Sequence, residues 1–338
     1  MNEKKNPEFQ ELAVRIEAAG LMDRTYVHYV VTGGIAVLFL ALSLTIVTLA
    51  PQLLWVQILN AFMFAFFSSQ IGIIGHDLSH GMVFDSPKLN RFFASMAWSV
   101  FSGLSELRWY RMHNEHHKAP NHIGHDPDLR IPFMFSEGQV NVEHPVPFMR
   151  IIRRTILPVQ HLLFFPALSL VYLNYIRMVF TYHIGSFSWR GMVEMLIVTL
   201  HFVALFWFLF TFLPTITAII FLVIVFGTIS FYMSILFAPN HKGCNELDEN
   251  EQFTWKHQIV NTRNLHHPPF LAYVMGGLDY QIEHHLFPKM SRARLPQASK
   301  IVKDFCAEYS IPYHEVTFKE SCREMYRALK TQAIAARN

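Results

Sequence analysis

The chain has 338 residues, of which 52% are hydrophobic and 16% are charged, and its formal net charge is +3. A soluble domain normally carries about a quarter charged residues, so this composition indicates a membrane protein. The slight positive charge gives no support to nucleic-acid binding. The three cysteines have no metal-ligand spacing and fit a reducing, cytoplasmic environment.

Two long segments of the chain lack charged residues. No Asp, Glu, Lys or Arg occurs in residues 25–76 or in residues 195–241. One membrane span needs about 20 apolar residues, so each segment is long enough for two helices. Pro51 and Pro214 interrupt the segments near their middles, and proline ends or kinks a helix. The sequence therefore predicts four transmembrane helices.

The predicted fold is an all-α integral membrane protein with one domain, residues 1–338. The four helices form two hairpins, at about 27–75 and 195–238. Because both turns are uncharged, every Lys and Arg lies on one side of the membrane, which the positive-inside bias makes cytoplasmic. Residues 76–194 and 241–338 form a cytoplasmic helical cap. In a bacterial cell the membrane is the inner membrane.

Other segments are predicted to be helical without crossing the membrane. Thr155–Ile176 has no charge but contains two prolines, so we expect a helix or broken helix that lies in the interface. Phe92–Leu104 is interpreted in the same way. Asn6–Gly20 is predicted to be a short amphipathic helix, and two further helices are expected near Ala293–Tyr309 and Phe318–Ala333.

Histidine clusters follow the apolar segments and carry most of the functional information. On a helix, residues three and four apart share a face, so each cluster presents several side chains together. Imidazole binds iron, zinc and copper, and seven clustered histidines exceed the four ligands of a structural zinc site. The pattern therefore predicts two metal ions held close together. The clusters are His76-Asp-Leu-Ser-His80, His113-Asn-Glu-His116-His117 and Gln281-Ile-Glu-His284-His285.

Together these clusters resemble the three histidine boxes of the membrane-bound fatty acid desaturases. The third box is the most specific, and it is typical of the front-end and related acyl-lipid branch. The resemblance implies a non-haem diiron site on the cytoplasmic face. The matching strings are Gly75-His-Asp-Leu-Ser-His80, Trp109-Tyr-Arg-Met-His-Asn-Glu-His-His117 and Gly276-Gly-Leu-Asp-Tyr-Gln-Ile-Glu-His-His-Leu-Phe-Pro288.

The resemblance also implies a set of iron ligands. His241, at the end of the fourth apolar helix, is similar to the family ligand that lies outside the three boxes. Gln281 stands where other branches have a histidine, so it ligates weakly, holds a bridging water or positions a neighbour. The implied ligands are His76, His80, His113, His116, His117, His241, His284 and His285.

Nearby carboxylates and amides are candidates for supporting these ligands. A metal-bound imidazole commonly donates its other N–H to a carboxylate or carbonyl. A further doublet, His266-His267, has no partner at ligand spacing and is interpreted as structural. The candidate supporting residues are Asp77, Glu115, Asp126, Asp279, Glu283, Asn261 and Asn264.

The implied activity is desaturation of a fatty acyl chain. O2 and two electrons are consumed, and a cis double bond and water are formed. The sequence has neither a Gly-x-Gly-x-x-Gly fingerprint nor the His-Pro-Gly-Gly of a fused cytochrome b5 domain. We therefore expect the electrons to come from a separate ferredoxin, or from cytochrome b5 with its reductase. The expected partners are an acyl-CoA or acyl-lipid substrate and the membrane lipids.

Three alternatives remain open from the sequence. A hydroxylase on the same diiron frame would insert oxygen where a desaturase removes a second hydrogen. A haem-b electron carrier would need facing histidines inside the spans, where only His28 and His201 lie. A transporter usually has intramembrane charges, and the two apolar segments have none.

Overall fold

The computed structural model describes residues 6–129 and 147–335, so part of the predicted segment 76–194 lies outside the described residues. A π-helical turn, Met96–Phe101, follows α4. The helices are α1 (Pro7–Ala18), α2 (Tyr26–Leu49), α3 (Leu54–Ser79), α4 (Pro87–Ser95), α5 (Glu106–Lys118), α6 (Pro147–Ile156), α7 (Gln160–Leu168), α8 (Val171–Gly185), α9 (Trp189–Phe212), α10 (Thr215–His241), α11 (His257–Val260), α12 (Ala272–Met275), α13 (Gln281–Leu286), α14 (Leu295–Glu308) and α15 (Phe318–Ala335).

The chain divides into two compact units that alternate along the sequence. Unit 1 consists of Met1–Asp23, Met112–Ala167 and Leu236–Asn338, and unit 2 consists of Arg24–Arg111 and Leu168–Ile235. The sequence predicted one domain. Each unit is described below by itself.

Four helices, α2, α3, α9 and α10, are long and apolar enough to cross a membrane, which confirms the predicted all-α membrane fold. A fifth candidate is a pair of helices, Arg150–Leu168 and Val171–Gly185, which is long and apolar enough only when the two are taken together. The pair is sharply bent, and the number of spans is five if the pair forms one span. The interfacial position of Thr155–Ile176 therefore stays a prediction.

Two helix boundaries next to candidate functional residues differ from the predicted ones, the end of α3 and the start of α9. Helix α3 continues past Gly75 to Ser79, so His76 lies inside it. Helix α9 begins at Trp189 and not at Met195. It starts there because the Ser188 hydroxyl accepts a hydrogen bond from the Gly191 N–H at 3.1 Å, which is a favourable N-cap. The start of α9 therefore includes two charged residues, Arg190 and Glu194, that the predicted span left out.

In unit 2, polar side chains join the first hairpin near its turn. The last carbonyls of a helix have no partner within the helix. The Gln57 amide of α3 donates to the carbonyl of Ile46 in α2 and to that of Ala50, which follows α2, at 3.1 and 3.0 Å. Asn60 donates to the Ser43 carbonyl at 3.0 Å. These hydrogen bonds join the end of α2 to the start of α3 and fix the register of the two helices.

A buried carboxylate in unit 2 holds the start of α5. One oxygen of Glu194 accepts from the Glu106 N–H at 2.6 Å and from the Ser99 hydroxyl at 3.0 Å. The other accepts from Ser105 Oγ at 2.5 Å and from His183 Nε2 at 2.8 Å. A carboxylate at a helix N-terminus also interacts favourably with the helix dipole. Glu194 therefore fixes the helix that carries the second histidine box.

In unit 1, a hydrophobic core surrounds the third histidine box. Leu12 of α1, Ile282 of α13 and Phe305 of α14 are all fully buried in the same cluster. The N-terminal helix is held to α14 by ion pairs from Arg15 to Glu308. Because Ile282 lies between the box residues, packing of this core sets the position of α13.

A short parallel pair of strands in unit 1 was not predicted. Strand β1 (Asn264–His266) pairs with β2 (Glu315–Thr317), with Asn264 opposite Glu315. Each strand has three residues, too few to show an alternating pattern in the sequence. Next to β1, the fully buried Arg263 guanidinium pairs with Glu324 and donates to the Lys242 carbonyl. Through these two contacts, Arg263 connects the segment that follows α10 to helix α15.

The Glu106 carboxyl gives a test of the unit 2 packing. Burial and the neighbouring Glu194 raise its pKa to about 7, although Arg91 opposes the shift. The folded state then holds a proton that the unfolded chain releases near pH 4.5. Folding stability therefore falls as pH rises from about 4.5 to about 7. We expect Glu106→Gln to stabilise the protein by about 1–3 kcal/mol at pH 8 and to change it little near pH 4.5.

The measurement is thermal unfolding in detergent at the two pH values. Glu115→Gln is the matched control, because Glu115 lies on the same helix and is exposed, so its pH dependence should follow the wild type. An equal effect of Glu106→Gln at both pH values would contradict the assigned burial.

Candidate metal centre

The first histidine group consists of His113, His117 and His284, all in unit 1. One ring nitrogen from each lies within 4.8 Å of the others. His113 and His117 are four residues apart on α5 and so share a helix face, with their Nε2 atoms 3.0 Å apart. His284 of α13 lies beside them, with its ring centre 4.7 Å from that of His117.

The second histidine group consists of His116, His241 and His285, also in unit 1. Their ring nitrogens again lie within 4.8 Å of one another. The ring centre of His116 is 4.6 Å from that of His241 and 5.1 Å from that of His285. Helices α5, α10 and α13 each supply one member, so this group depends on the packing of three helices.

The two HH doublets divide between these groups for a geometrical reason. Consecutive residues on an α-helix are about 100° apart around its axis, since a turn has about 3.6 residues. His116 and His117 therefore point to different groups, as do His284 and His285. A doublet on each of two helices is thus suited to two ions close together.

The first box lies in unit 2. His76 is inside α3 and His80 follows its last residue, with the two ring centres 4.7 Å apart. His76 Nδ1 is 3.0 Å from Asp77 Oδ1, and Asp77 also accepts a hydrogen bond from the Tyr29 hydroxyl at 3.0 Å. The contact between His76 and Asp77 is one that the sequence predicted.

Asp126 is the carboxylate beside His116. It contacts His116 Nδ1 at 2.9 Å and accepts from the N–H groups of Asn121 and Asp128 at 2.7 and 2.9 Å. Burial alone would lower the pKa of His116, but Asp126 and Asp128 outweigh it and raise that pKa to about 9. Because the Asp126 carboxylate accepts, Nδ1 of His116 carries a proton, and a metal ion would take the place of the proton on Nε2.

Glu283 supports the third box without contacting a histidine of either group. Its carboxylate accepts from Asn264 Nδ2 at 2.7 Å and from the Tyr313 hydroxyl at 2.9 Å. Asn264 Oδ1 in turn accepts from the Ile282 N–H at 2.9 Å. Burial raises the pKa of Glu283 to about 7, although both hydrogen bonds oppose the shift. This network fixes the start of α13.

Glu115 was predicted to support a metal-binding histidine, but its side chain lies on the surface of the protein. It directly precedes His116 on α5, so its side chain points in a different direction from that of His116 and away from the second histidine group. It is exposed and pairs with Lys118 at 2.7 Å. Its carboxylate belongs to the surface of α5, and Asp126 contacts His116 in its place.

Asp279 and Asn261 also contact other partners. Asp279 accepts from Nε2 of His267, at 2.9 Å, and not from a box histidine. Asn261 donates to the Pro120 carbonyl at 3.1 Å and accepts through its own carbonyl from Asn121. The side chain of Asn121 also donates to the His241 carbonyl at 2.8 Å. Both predicted residues thus position the loops around the groups.

Gln281 lies directly beside the second group. Its amide nitrogen is 3.0 Å from His241 Nε2, and the side chain is only 1% exposed. Within the described residues, two buried atoms here have no hydrogen-bond partner, Gln281 Oε1 and His241 Nδ1. Buried polar atoms without partners are uncommon and often mark a water or ion site.

The donor set fits metal ions. Metal–imidazole bonds are about 2.1 Å long, so two nitrogens bound at a right angle are about 3 Å apart. The separation of 3.0 Å between His113 and His117 matches this arrangement. Protons held at Nδ1 of His116 and oxygen acceptors on the outer sides of the rings also prepare the inner nitrogens to bind.

Asp126→Asn tests this preparation. The Asp126 carboxylate contacts three donors, and an asparagine has only one acceptor oxygen and must turn its NH2 toward one of them. We expect Co²⁺ binding to weaken by about 10–100-fold, measured by anaerobic titration of metal-free protein. The exposed Asp304→Asn on α14 is the control. Unchanged affinity in folded Asp126→Asn protein would argue against a metal at this group.

Comparisons with known proteins agree on one family. The sequence model of the family described as "Fatty acid desaturase" matches residues 25–317. The chain is 28% identical to "Acyl-lipid (9-3)-desaturase" of Borago officinalis over 98% of this chain and 76% of that protein. It is 26% identical to "Delta(8)-fatty-acid desaturase 2" of Arabidopsis thaliana, with the same coverage. It is 29% identical to "Delta(6)-fatty-acid desaturase fat-3" of Caenorhabditis elegans over 92% of this chain and 72% of that protein.

Proposed function

Since the chain belongs to the fatty acid desaturase family, we propose that it desaturates acyl chains at a pair of iron ions held by its histidines. The observation that carries the proposal is the pair of three-histidine groups in unit 1. The two groups together offer six nitrogen ligands, whereas a structural site with a single zinc ion uses four ligands. His76 and His80 are included in the ligand set on the strength of the box motifs.

Iron is favoured over other metals by the chemistry of the reaction. Removal of hydrogen from an unactivated methylene needs a strong oxidant, which a bound iron pair with O2 supplies. The protein's own groups have a different task. The imidazoles bind as neutral nitrogen donors, Asp126 keeps the His116 proton on Nδ1, and burial of the groups excludes water from the reacting methylenes.

Gln281 belongs to the second group in this proposal. Its amide oxygen is an uncharged donor atom close to His241, and the burial of this oxygen without a hydrogen-bond partner supports a role as weak ligand or water acceptor. A neutral amide donates less charge than an imidazole. The second iron would therefore have a weaker donor set than one completed by histidine.

The substrate is a fatty acyl chain, carried as an acyl-CoA or as an acyl-lipid. The names of the compared relatives specify an acyl-lipid substrate for one and the Delta(6) or Delta(8) position for others. The two electrons come from an external donor, a ferredoxin or cytochrome b5 with its reductase. Membrane lipids surround the four apolar helices.

Expression in a host without polyunsaturated lipids tests the activity. Fatty acid profiling by mass should show products that have lost two hydrogens. We expect His80→Ala, His116→Ala and His284→Ala each to abolish these products at equal protein level. His314→Ala, an exposed histidine paired with Glu324, should retain at least half of the activity. Products that have gained one oxygen would identify a hydroxylase.

The proposed site also requires a particular membrane topology, with the ligands facing the cytoplasm. The charge pattern supports a topology with the turns at Pro51 and Pro214 outside and the polar segments inside. Thr155–Ile176 then lies in the interface. In a variant with Cys244, Cys306 and Cys322 replaced by serine, Lys118→Cys and Asn250→Cys should both be protected from an impermeant thiol reagent in sealed cells.

Gln52→Cys, in the first turn, is the positive control and should react. Labelling of only one of the two cytoplasmic positions would show that Thr155–Ile176 crosses the membrane. The ligands on either side of that segment could not then share a site across about 30 Å of hydrocarbon.

A further inference from the structure

A buried glutamine outside the three boxes contacts two of them. Gln258 lies in α11 and is 6% exposed. Its Oε1 is 3.1 Å from His285 Nδ1 in the third box. Its Nε2 donates to the His117 carbonyl, in the last turn of α5, at 2.8 Å. One side chain thus touches both helices that carry the HH doublets.

The contact with His117 determines the orientation of the amide. A carbonyl oxygen can only accept a hydrogen bond, so the NH2 of Gln258 must face the His117 carbonyl. Its Oε1 must then face His285. Because an amide oxygen only accepts, the proton of His285 lies on Nδ1. Nε2 of His285 is therefore the nitrogen with the lone pair.

The same contact completes the end of α5. The last four carbonyls of a helix lack partners within it, and α5 ends one residue after His117. The amide of Gln258 satisfies one of these carbonyls inside the protein. The Thr262 hydroxyl donates to the Gln258 carbonyl at 2.6 Å, which further fixes the residue.

Two of the three histidines of the second group, His116 and His285, therefore have unlike outer partners. His116 donates to the charged Asp126, which already accepts from two backbone N–H groups. His285 donates to a neutral amide. A carboxylate partner makes an imidazole a stronger donor than an amide partner does. The two imidazoles thus differ in donor strength although they face the same ion.

We propose that Gln258 is a positioning residue, which fixes the Nδ1–H form of His285 and so prepares the second histidine group to bind its metal. The inference rests on the proposed metal pair. Gln258 touches neither substrate nor metal in this account. It acts through His285, and its hydrogen bond to the His117 carbonyl fixes the orientation of its own amide.

Anaerobic Co²⁺ titration of the metal-free, full-length protein tests the proposal through the d–d absorption of bound cobalt. Wild type should bind two equivalents. Gln258→Met keeps the side-chain length but removes both hydrogen bonds, so one equivalent should weaken by about 10–100-fold while the other is unchanged. Gln258→Glu loses the donor to the His117 carbonyl but keeps the acceptor for His285, so it should bind the second equivalent more tightly than Gln258→Met does. Gln252→Met, at an exposed position nearby, should bind like wild type.

The outcomes separate this inference from the metal site itself. Wild-type protein that binds fewer than two Co²⁺ would contradict the proposed pair. Two unchanged equivalents in Gln258→Met, or a second equivalent lost equally in folded Gln258→Glu, would overturn the role of Gln258 alone. If Gln258→Met does not fold, Gln258→Asn, whose amide is too short to reach both partners, takes its place with the same expectation.

Discussion

The whole site depends on keeping several neutral imidazole nitrogens close together in a buried place. Polar atoms removed from water need hydrogen-bond partners, and the Nε2 atoms of His113 and His117, 3.0 Å apart, can share only one proton between them. The protein meets this requirement from outside the groups. Asp126 and Gln258 each contact the Nδ1 atom of a histidine in the second group, which leaves the Nε2 atoms of His116 and His285 as the metal-binding nitrogens.

Helix geometry then distributes the ligands, and packing holds them. The doublets on α5 and α13 divide between two groups because neighbouring residues point about 100° apart. Burial of Ile282 in the core of unit 1 and the Glu283 network fix α13. The Glu194 carboxylate fixes the start of α5. Desaturation needs no protein nucleophile, so these residues serve positioning and not proton transfer to substrate.

The sequence was sufficient for the membrane-spanning helices and the family. Long uncharged segments interrupted by proline are signals that do not depend on tertiary contacts, and the spacing of the box histidines fixes a helix face. Helix α14 and helix α15 also lie close to the predicted ranges. The start of α9 was missed, because the Ser188 cap precedes charged residues that appeared to exclude a span.

The supporting residues were harder to predict, because adjacency in sequence does not give side-chain direction. Glu115 and Glu283 both precede a histidine, yet one faces solvent and the other faces Asn264 and Tyr313. Gln258 lies in a four-residue helix and has no motif spacing that links it to His285. Only the packing of α11 against α5 and α13 reveals its contacts, so no pattern in the sequence could have identified it.

The central claim is that one chain holds two iron ions at these histidines. Mössbauer spectroscopy of anaerobically prepared protein loaded with ⁵⁷Fe, combined with iron analysis and a turnover assay on the same sample, tests it most directly. The account predicts close to two irons per active chain, in two unequal ferrous environments, because the second group has an amide beside it. One iron per active chain, or full activity with zinc alone, would contradict it.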